Sequence, residues 1–194
     1  MNDHAELARK FVESFEVLGE NLNFFEHLEP VAAQLASGPT DSYGQKRWKP
    51  LAVQTESAEL GPLYGKLPAR FPPLYEDLVL SYRWADVDLG NLTLLANPPG
   101  SGLDGLLRRI SGDTGLWETL IPNGYIPFGK GADYDYDPVC FDIKTRTNRD
   151  YRVVKIDHEE ILCNYRIEVV AELAPSFRAL VLQTIERAEA RRGG

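Results

Sequence analysis

Three segments decide the fold: Gly124-Tyr-Ile-Pro-Phe-Gly-Lys-Gly131, Asp133-Tyr-Asp-Tyr-Asp-Pro-Val-Cys-Phe-Asp142 and Tyr151-Arg-Val-Val-Lys-Ile-Asp-His-Glu159. Aromatic and β-branched residues are frequent in each segment, and glycine or polar residues separate them. This composition predicts three strands joined by turns. A helix starting at Ser176-Phe177 is predicted to follow them.

The second and third segments have the two-residue period of β-strands. Hydrophobic and polar residues alternate from Val139 to Ile143 and again from Val154 to Asp157. We therefore predict two half-buried strands. The residues from Lys144 to Asp150 are all polar, which favours an antiparallel hairpin with a longer loop.

The C-terminal part is predicted to form one more strand and a closing helix. Ile167, Val169 and Ala171 indicate the strand, and Pro175-Ser176 precedes the helix. The tail from Arg187 is polar and is predicted to fray. The helix should bury one face made of Phe177, Leu180, Val181, Thr184 and Ile185.

The N-terminal third is predicted to be helical and then irregular. A capping-box-like start at Asp3 and apolar residues at helical spacing predict a helix from Asp3 to Phe25, with a break possible near Gly19. A second helical stretch is expected from Val31 to Ala36, and a loop from Ser37 to Pro50. The stripe of the first helix consists of Leu7, Phe11, Phe15, Leu18, Leu22 and Phe25.

The loop contains the basic, aromatic cluster Lys46-Arg47-Trp48-Lys49. Nucleic-acid contact is one interpretation of this cluster. A solvated loop anchored by the tryptophan is favoured, because the chain as a whole is acidic.

The middle of the chain alternates between short helices and extended segments. Phe71-Pro-Pro73 should start a helix from Leu74 to Tyr82, and a second helix is expected from Leu103 to Ile110. The stretch Asp86 to Leu95 reads as extended, and strands should dominate from Trp117 onward. The predicted fold class is α+β, an antiparallel sheet flanked by helices, with an N-terminal helical extension at 1–66 packed on a core at 67–194 as one structural domain.

Composition limits the possible partners. A net charge of −8 over 194 residues argues against nucleic-acid binding and favours a basic protein partner. No signal peptide or membrane-spanning stretch is evident, so we expect a cytoplasmic protein without membrane contact. Cys140 and Cys163 are expected to be reduced and largely buried, although a disulfide between them stays open.

An ordered set of motifs from about Leu67 to Ile185 resembles the SUKH superfamily, the group of Smi/Knr-type cell-wall regulators and bacterial toxin-immunity proteins. The N-terminal helices and the Asp133–Asp137 stretch depart from that pattern. The resemblance rests on Phe71-Pro-Pro-Leu-Tyr-Glu-Asp-Leu78, Gly90-Asn-Leu-Thr-Leu-Leu95, Ile126-Pro-Phe-Gly129, Asp137-Pro-Val-Cys-Phe-Asp142, Arg152-Val-Val-Lys-Ile-Asp-His-Glu159 and Pro175-Ser-Phe-Arg-Ala-Leu180.

The resemblance implies a non-enzymatic domain that needs no cofactor and neutralises a toxin, such as a basic nuclease, by binding it. Two alternatives stay open. One is a regulatory scaffold of the Smi/Knr kind that docks a partner or a second copy through its N-terminal helices, so a homo-oligomer is possible. The other is an enzyme with dispersed carboxylates.

The best candidate contact residues are the three aspartates and two tyrosines of Asp133-Tyr-Asp-Tyr-Asp137. On an extended chain, Asp133, Asp135 and Asp137 would project on one side, and Tyr134 and Tyr136 on the other. Tyrosine beside carboxylate suits a protein interface with basic groups opposite. A calcium loop of EF-hand type is not favoured, since Pro138 and Lys144 occupy its glycine and glutamate positions.

His158 and Glu159 are a weaker candidate. A zinc-protease motif would need a second histidine where Leu162 stands, so no metal is expected and a hydrogen-bonded structural histidine is favoured. We include His158, Glu159 and Trp84 in the candidate partner-binding surface.

Overall fold

The computed structural model describes residues 3–19, 22–24, 32–100 and 102–194. Two short 3₁₀ turns lie at Ala32–Leu35 and Ser57–Glu59. The α-helices are α1 (Asp3–Leu18), α2 (Leu60–Tyr64), α3 (Pro73–Ser81), α4 (Asp104–Ile110), α5 (Thr114–Leu120), α6 (His158–Asn164) and α7 (Phe177–Gly193). The strands are β1 (Asn23–Phe24), β2 (Ala36–Thr40), β3 (Lys46–Trp48), β4 (Leu51–Ala52), β5 (Tyr82–Arg83), β6 (Val87–Asp88), β7 (Thr93–Leu94), β8 (Tyr125–Lys130), β9 (Pro138–Thr147), β10 (Asp150–Ile156) and β11 (Val169–Ala174).

A six-stranded sheet in the order β11-β10-β9-β8-β7-β6 forms the centre of the molecule, and every neighbouring pair is antiparallel. A small β1-β3-β2 sheet and a β4-β5 ribbon accompany it. Helices α4 and α5 connect β7 to β8 and α6 connects β10 to β11, but none of these connections joins parallel strands. The predicted α+β class is therefore confirmed.

Strand β9 is buried on both faces along its first half, so the prediction of a half-buried strand was wrong. Val139 and Phe141 face the main core, and Cys140 belongs to a second apolar cluster that includes Leu120 of α5 and Ile161 of α6. Asp142 is also buried, and Arg152 of β10 neutralises it through a 2.7 Å ion pair. The second face is buried because α5 and α6 cover it.

The β9–β10 connection is a tight turn rather than the expected long loop. Thr147 pairs with Asp150, and only Asn148 and Arg149 lie between them, with φ angles of 51° and 66°. Two left-handed residues in succession match the right-handed twist of a hairpin. The polar stretch thus continues both strands, with polar side chains on solvated positions.

Helix α1 ends at Leu18, seven residues before the predicted end at Phe25, which itself lies outside the described residues. A Cβ atom on Gly19 would lie 2.5 Å from the carbonyl oxygen of Phe15, so only glycine fits without strain at the end of this helix. Leu22 is buried, and its carbonyl accepts a hydrogen bond from the Trp48 amide. Residues 22–24 therefore pair with β3 instead of extending α1.

The segment predicted as a loop from Ser37 to Pro50 contains most of a β2–β3 hairpin, and this prediction was wrong. The expected helix near Val31 to Ala36 is reduced to the 3₁₀ turn at Ala32–Leu35, and Val31 lies outside the described residues. Trp48 is 1% exposed, as expected for the residue that anchors this region. Strand β3 is stabilised by pairing with β1 and β2 on its two sides, and local composition did not reveal these partners.

The predicted helices around Leu74 and Leu103 are confirmed as α3 and α4, and Trp117 lies in helix α5 rather than in a strand. The closing helix α7 begins where predicted, because the Ser176 side chain accepts a hydrogen bond from the Ala179 amide. It continues to Gly193 instead of fraying.

The N-terminal helix is part of the core. Phe11 packs edge-on against Phe177 of α7, with 6.2 Å between ring centroids, and Phe15 packs in the same way on Trp84 at 6.4 Å. Beneath them, Phe128 and Phe141 stack at 4.1 Å. These aromatic contacts join helices α1 and α7 to the sheet. Among the described residues, no helix combines the length and apolar character needed to cross a membrane.

Candidate functional site

Five of the eight predicted contact residues, Asp133 to Asp137, lie in the connection between β8 and β9, which we call the tyrosine loop (residues 131–137). Asp133 and Tyr134 have φ angles of 53° and 66°, so the chain turns here in left-handed conformations. The Asp133 amide donates a hydrogen bond to Asp88 of β6. Because the loop is not extended, the three aspartates do not share one face, and that prediction was wrong.

Two of the aspartates hold the loop to the sheet. Asp135 Oδ2 lies 2.7 Å from Lys155 Nζ, and Asp137 Oδ2 lies 3.8 Å from the same nitrogen. Asp135 Oδ1 also accepts a hydrogen bond from the Asp137 amide. Lys155 projects from β10, so its ammonium group anchors the loop to a central element of the fold.

His158 forms the second anchor. Both its backbone amide, at 3.0 Å, and its ring Nδ1, at 2.8 Å, contact Asp137 Oδ1. His158 is the first residue of α6, and Asp157 caps that helix by accepting from the Glu160 amide. This hydrogen-bonded histidine has the structural role that the sequence favoured for it.

The electrostatics of both anchors favour the charged forms. Hydrogen bonding to Asp137 raises the pKa of His158, and hydrogen bonding to Asp135 raises the pKa of Lys155. Burial acts to raise the pKa of Asp135, but the hydrogen bonds from Lys155 and the Asp137 amide outweigh it and leave the pKa below its ordinary value. The Asp135–Lys155 ion pair thus holds the loop at neutral pH, and protonation of His158 strengthens the second anchor as the pH falls.

The outer side of the loop presents aromatic surface. Tyr134 is 90% exposed and Tyr136 is 60% exposed. The Tyr136 ring lies 5.6 Å from Lys130 Nζ and 6.1 Å from the His158 ring, which restricts its position. A large ring held in place on a pinned backbone, as Tyr136 is, loses little entropy when a partner covers it.

This side carries unpaired carboxylates as well as the Lys130 ammonium group, which lies beside the Tyr136 ring. Asp133 and Glu159 are both exposed, and neither forms an ion pair within the part of the chain that the structure describes. Asp135 and Asp137 are already paired internally. The carboxylates that a partner would meet are therefore those of Asp133 and Glu159.

Trp84 does not belong to this surface. Its side chain is fully buried, packs on Phe15 and donates from Nε1 to the Leu95 carbonyl at 2.9 Å. It is a core residue whose polar nitrogen is satisfied internally, so a partner cannot contact it. The structure brings together the other candidates, namely Asp133, Tyr134, Asp135, Tyr136, Asp137, His158 and Glu159.

Lys155 and Lys130 were missed by the sequence interpretation. Lys155 is the polar residue between Val154 and Ile156, and it pairs in register with Val139, the second residue of β9. The predicted antiparallel hairpin could have revealed Lys155. In such a pair this lysine lies level with the start of β9, and therefore beside the acidic residues that precede β9.

Asp137, Asp157 and His158 each offer a ligand atom, and these atoms lie within 4.8 Å of one another. Helix capping by Asp157 and the Asp137–His158 hydrogen bonds account for this grouping. Cys140 is buried, and burial raises the pKa of its thiol well above the usual range. Cys163 is exposed on α6, so the expectation of two buried thiols was wrong for it; both thiols are free.

No family model matches the chain, and no curated protein matches it significantly.

Proposed function

We propose that this chain is a non-enzymatic, cytoplasmic protein-binding domain of the SUKH immunity kind, which neutralises a cognate toxin by binding it through the tyrosine loop. The observation that carries the proposal is the pinned loop itself. Two exposed tyrosines stand on a backbone that Lys155 and His158 tie to the sheet.

The loop has the physical properties of a binding hot spot. Aromatic residues supply large contact area with few rotatable bonds, and hot spots are enriched in tyrosine. The ion pairs hold the loop before binding, so a partner does not have to order it. The resemblance of the surrounding motifs to SUKH proteins supports the assignment of toxin neutralisation.

The charge of the surface favours a basic partner such as a nuclease. Asp133 and Glu159 are free to meet lysine or arginine, and the net charge of −8 would accelerate the encounter at low salt. Asp135 and Asp137 act differently, because they shape the loop rather than contact the partner. Neutralising Asp133 should therefore slow association, whereas neutralising Asp135 should weaken the loop itself.

The test compares three tagged baits in lysate of the source organism at low salt: the unmodified protein, Tyr134→Ala/Tyr136→Ala, and Tyr43→Ala/Tyr165→Ala. Tyr43 and Tyr165 are 82% and 83% exposed and lie outside the tyrosine loop, so their replacement is a matched control. We expect one basic protein to be retained by the unmodified protein and by the control, and lost with the loop variant.

The retained protein should then lose its toxic or nuclease activity when the unmodified chain is added at equal concentration. Retention of the same protein by all three baits would remove the tyrosine loop from the interface. Retention without loss of the partner's activity would contradict neutralisation and favour a scaffold.

For the scaffold alternative, the N-terminal helix offers a polar free face that includes Arg9, Glu13 and Glu16. Phe11 and Phe15 of α1 are instead buried against α7 and Trp84. Deleting this helix would expose the core, so it cannot separate the two functions. The Tyr134→Ala/Tyr136→Ala variant can separate them, because its tyrosines make few contacts within the protein.

A further inference from the structure

A second candidate binding surface lies beside strand β4 and shares no residue with the tyrosine loop. It is a cavity of about 410 Å³. Its walls include Val53, Thr55, Arg83 and Gly102, and two glutamates, Glu56 and Glu59.

Arg83 holds the walls of this cavity together. Its side chain is buried and donates to the Val79 carbonyl at 2.7 Å, to Thr55 Oγ1 at 2.7 Å and to the Gly102 carbonyl at 3.3 Å. One guanidinium group therefore joins three segments that are distant in sequence. A cavity braced in this way keeps its shape before a ligand arrives.

Residues 51–55, which we call the edge strand, have one unused hydrogen-bonding side. Leu51 pairs with Arg83, and the amides of Val53 and Thr55 donate to the carbonyls of Ser81 and Leu80 at 2.8 and 3.1 Å. Because backbone groups alternate in direction along a strand, those of Ala52 and Gln54 point away from β5. Within the described ranges, no backbone hydrogen bond engages this outer side.

Lysine and proline, which often block strand addition, are absent from the edge strand, whose ladder with β5 spans Leu51 and Ala52. Its sequence Leu51-Ala-Val-Gln-Thr55 contains no charge and no proline, and Leu51, Ala52 and Gln54 are exposed. Native edges are commonly protected by lysine, proline or a bulge. An unprotected edge next to a braced cavity suits an extended peptide.

The glutamates identify the side chains that such a peptide would carry. Glu56 and Glu59 are exposed, line the cavity, and form no ion pair with any residue that the structure describes. Arg83 is already occupied by four neutral acceptors. The Arg83 charge is buried, so the exposed charge at the cavity is that of Glu56 and Glu59, which is negative and complements lysine or arginine.

We propose that the edge strand binds an extended basic segment of a partner protein, which adds as a further strand beside Ala52 and Gln54 and places a lysine or arginine next to Glu56 and Glu59. This inference does not depend on the function proposed for the tyrosine loop.

The test uses a blocked seven-residue peptide in which lysine and arginine alternate with valine and threonine. Two further versions carry N-methyl groups on alternate amides, one version on the even and one on the odd positions. All three peptides have the same charge. Only a strand-paired peptide distinguishes the two methylated versions, because its alternate amides face the protein.

We expect the unmethylated peptide and one methylated version to bind within about twofold of each other, and the other version to bind about 30-fold more weakly, as for two lost hydrogen bonds. Amide resonances of residues 51–59 should shift on binding. Equal affinity of both methylated versions, or no binding at millimolar concentration, would overturn the proposal.

The charge requirement is tested with Glu56→Gln/Glu59→Gln, which should weaken the unmethylated peptide by about three- to tenfold. The control is Glu186→Gln/Glu189→Gln on α7, which changes the net charge equally without touching the cavity and should bind normally. Equal weakening by both variants would show nonspecific attraction and refute the site. A concentration-dependent dimer that excludes the peptide would assign the edge to a second copy instead.

Tyr134→Ala/Tyr136→Ala should leave peptide binding unchanged. This outcome separates the edge strand from the tyrosine loop, so that failure of one proposal is distinguishable from failure of the other.

Discussion

The ion pair between Asp135 and Lys155 should contribute more to stability than an ordinary surface pair. The perturbation is the double-mutant cycle of Lys155→Met, Asp135→Asn and their combination. Asparagine keeps an oxygen that can accept the hydrogen bond from the Asp137 amide, so this substitution removes mainly the charge. The cycle then isolates the coupling between the two side chains.

The magnitude follows from the separation and the exposure. At 2.7 Å between Oδ2 and Nζ, Coulomb's law gives about 1.5 kcal/mol in water and about 6 kcal/mol at an effective dielectric constant near 20. Side-chain exposures of 26% and 32% place the pair between these limits. Desolvation and lost side-chain entropy remove most of the gain, so we expect a coupling of about 1 to 1.5 kcal/mol.

The assay is urea unfolding at pH 7 and low salt for all four proteins. The reference is the same cycle at Arg9 and Glu13, an exposed pair one helical turn apart on α1 with exposures of 52% and 47%. That cycle should give about 0.3 to 0.5 kcal/mol. A coupling at Asp135–Lys155 no larger than this reference would refute the reasoning that the pair pins the loop.

Three further predictions concern the turn, the histidine and the thiols. Arg149→Gly should raise the free energy of unfolding by about 1 kcal/mol, since glycine adopts the left-handed conformation without the steric cost paid by arginine; a urea titration that shows a loss would contradict this. The pKa of His158 in the folded protein lies above its ordinary value of 6.5, so its stabilisation is fully present below pH 6.5 and is lost as the pH rises through the raised pKa. The difference in unfolding free energy between the unmodified protein and His158→Gln should therefore shrink from pH 6 to pH 9. A difference that does not change with pH would show that the charge of His158 does not contribute to the interaction. A thiol reagent should modify Cys163 in the native protein and reach Cys140 only in denaturant, because Cys140 is fully buried and its pKa is raised; equal labelling rates would place both thiols at the surface.

Elements whose signals are local were predictable from the sequence. Helix α3 starts at a proline in its first turn, and α7 starts at the serine that caps it, so each carries its own start signal. The alternation in β9 and β10 likewise identified the central hairpin. These features depend on neighbours within a few residues.

Features that depend on distant partners were not predictable. The burial of Cys140 requires α5 and α6 to cover the sheet, and the β2–β3 hairpin requires β1 as its neighbour. In the tyrosine loop, the alternation rule failed because Asp133 and Tyr134 adopt left-handed conformations. Lys155 decides which aspartates are already paired, and it lies twenty residues beyond Asp135 in the sequence.

The packing of α1 on α7 sets the order in which the chain can fold during synthesis. Arg178 at the start of α7 bonds Asp3 at the start of α1 across 175 residues of sequence, and Phe11 has Phe177 as a core partner. While the ribosome is still making the sheet, the apolar stripe of α1 therefore lacks this partner. Such long-range closure slows folding and leaves hydrophobic surface open in the meantime. Helix α1 can thus complete its core packing only after α7 has been made, and chaperones that hold nascent chains have the part of the stripe around Phe11 to bind until α7 emerges.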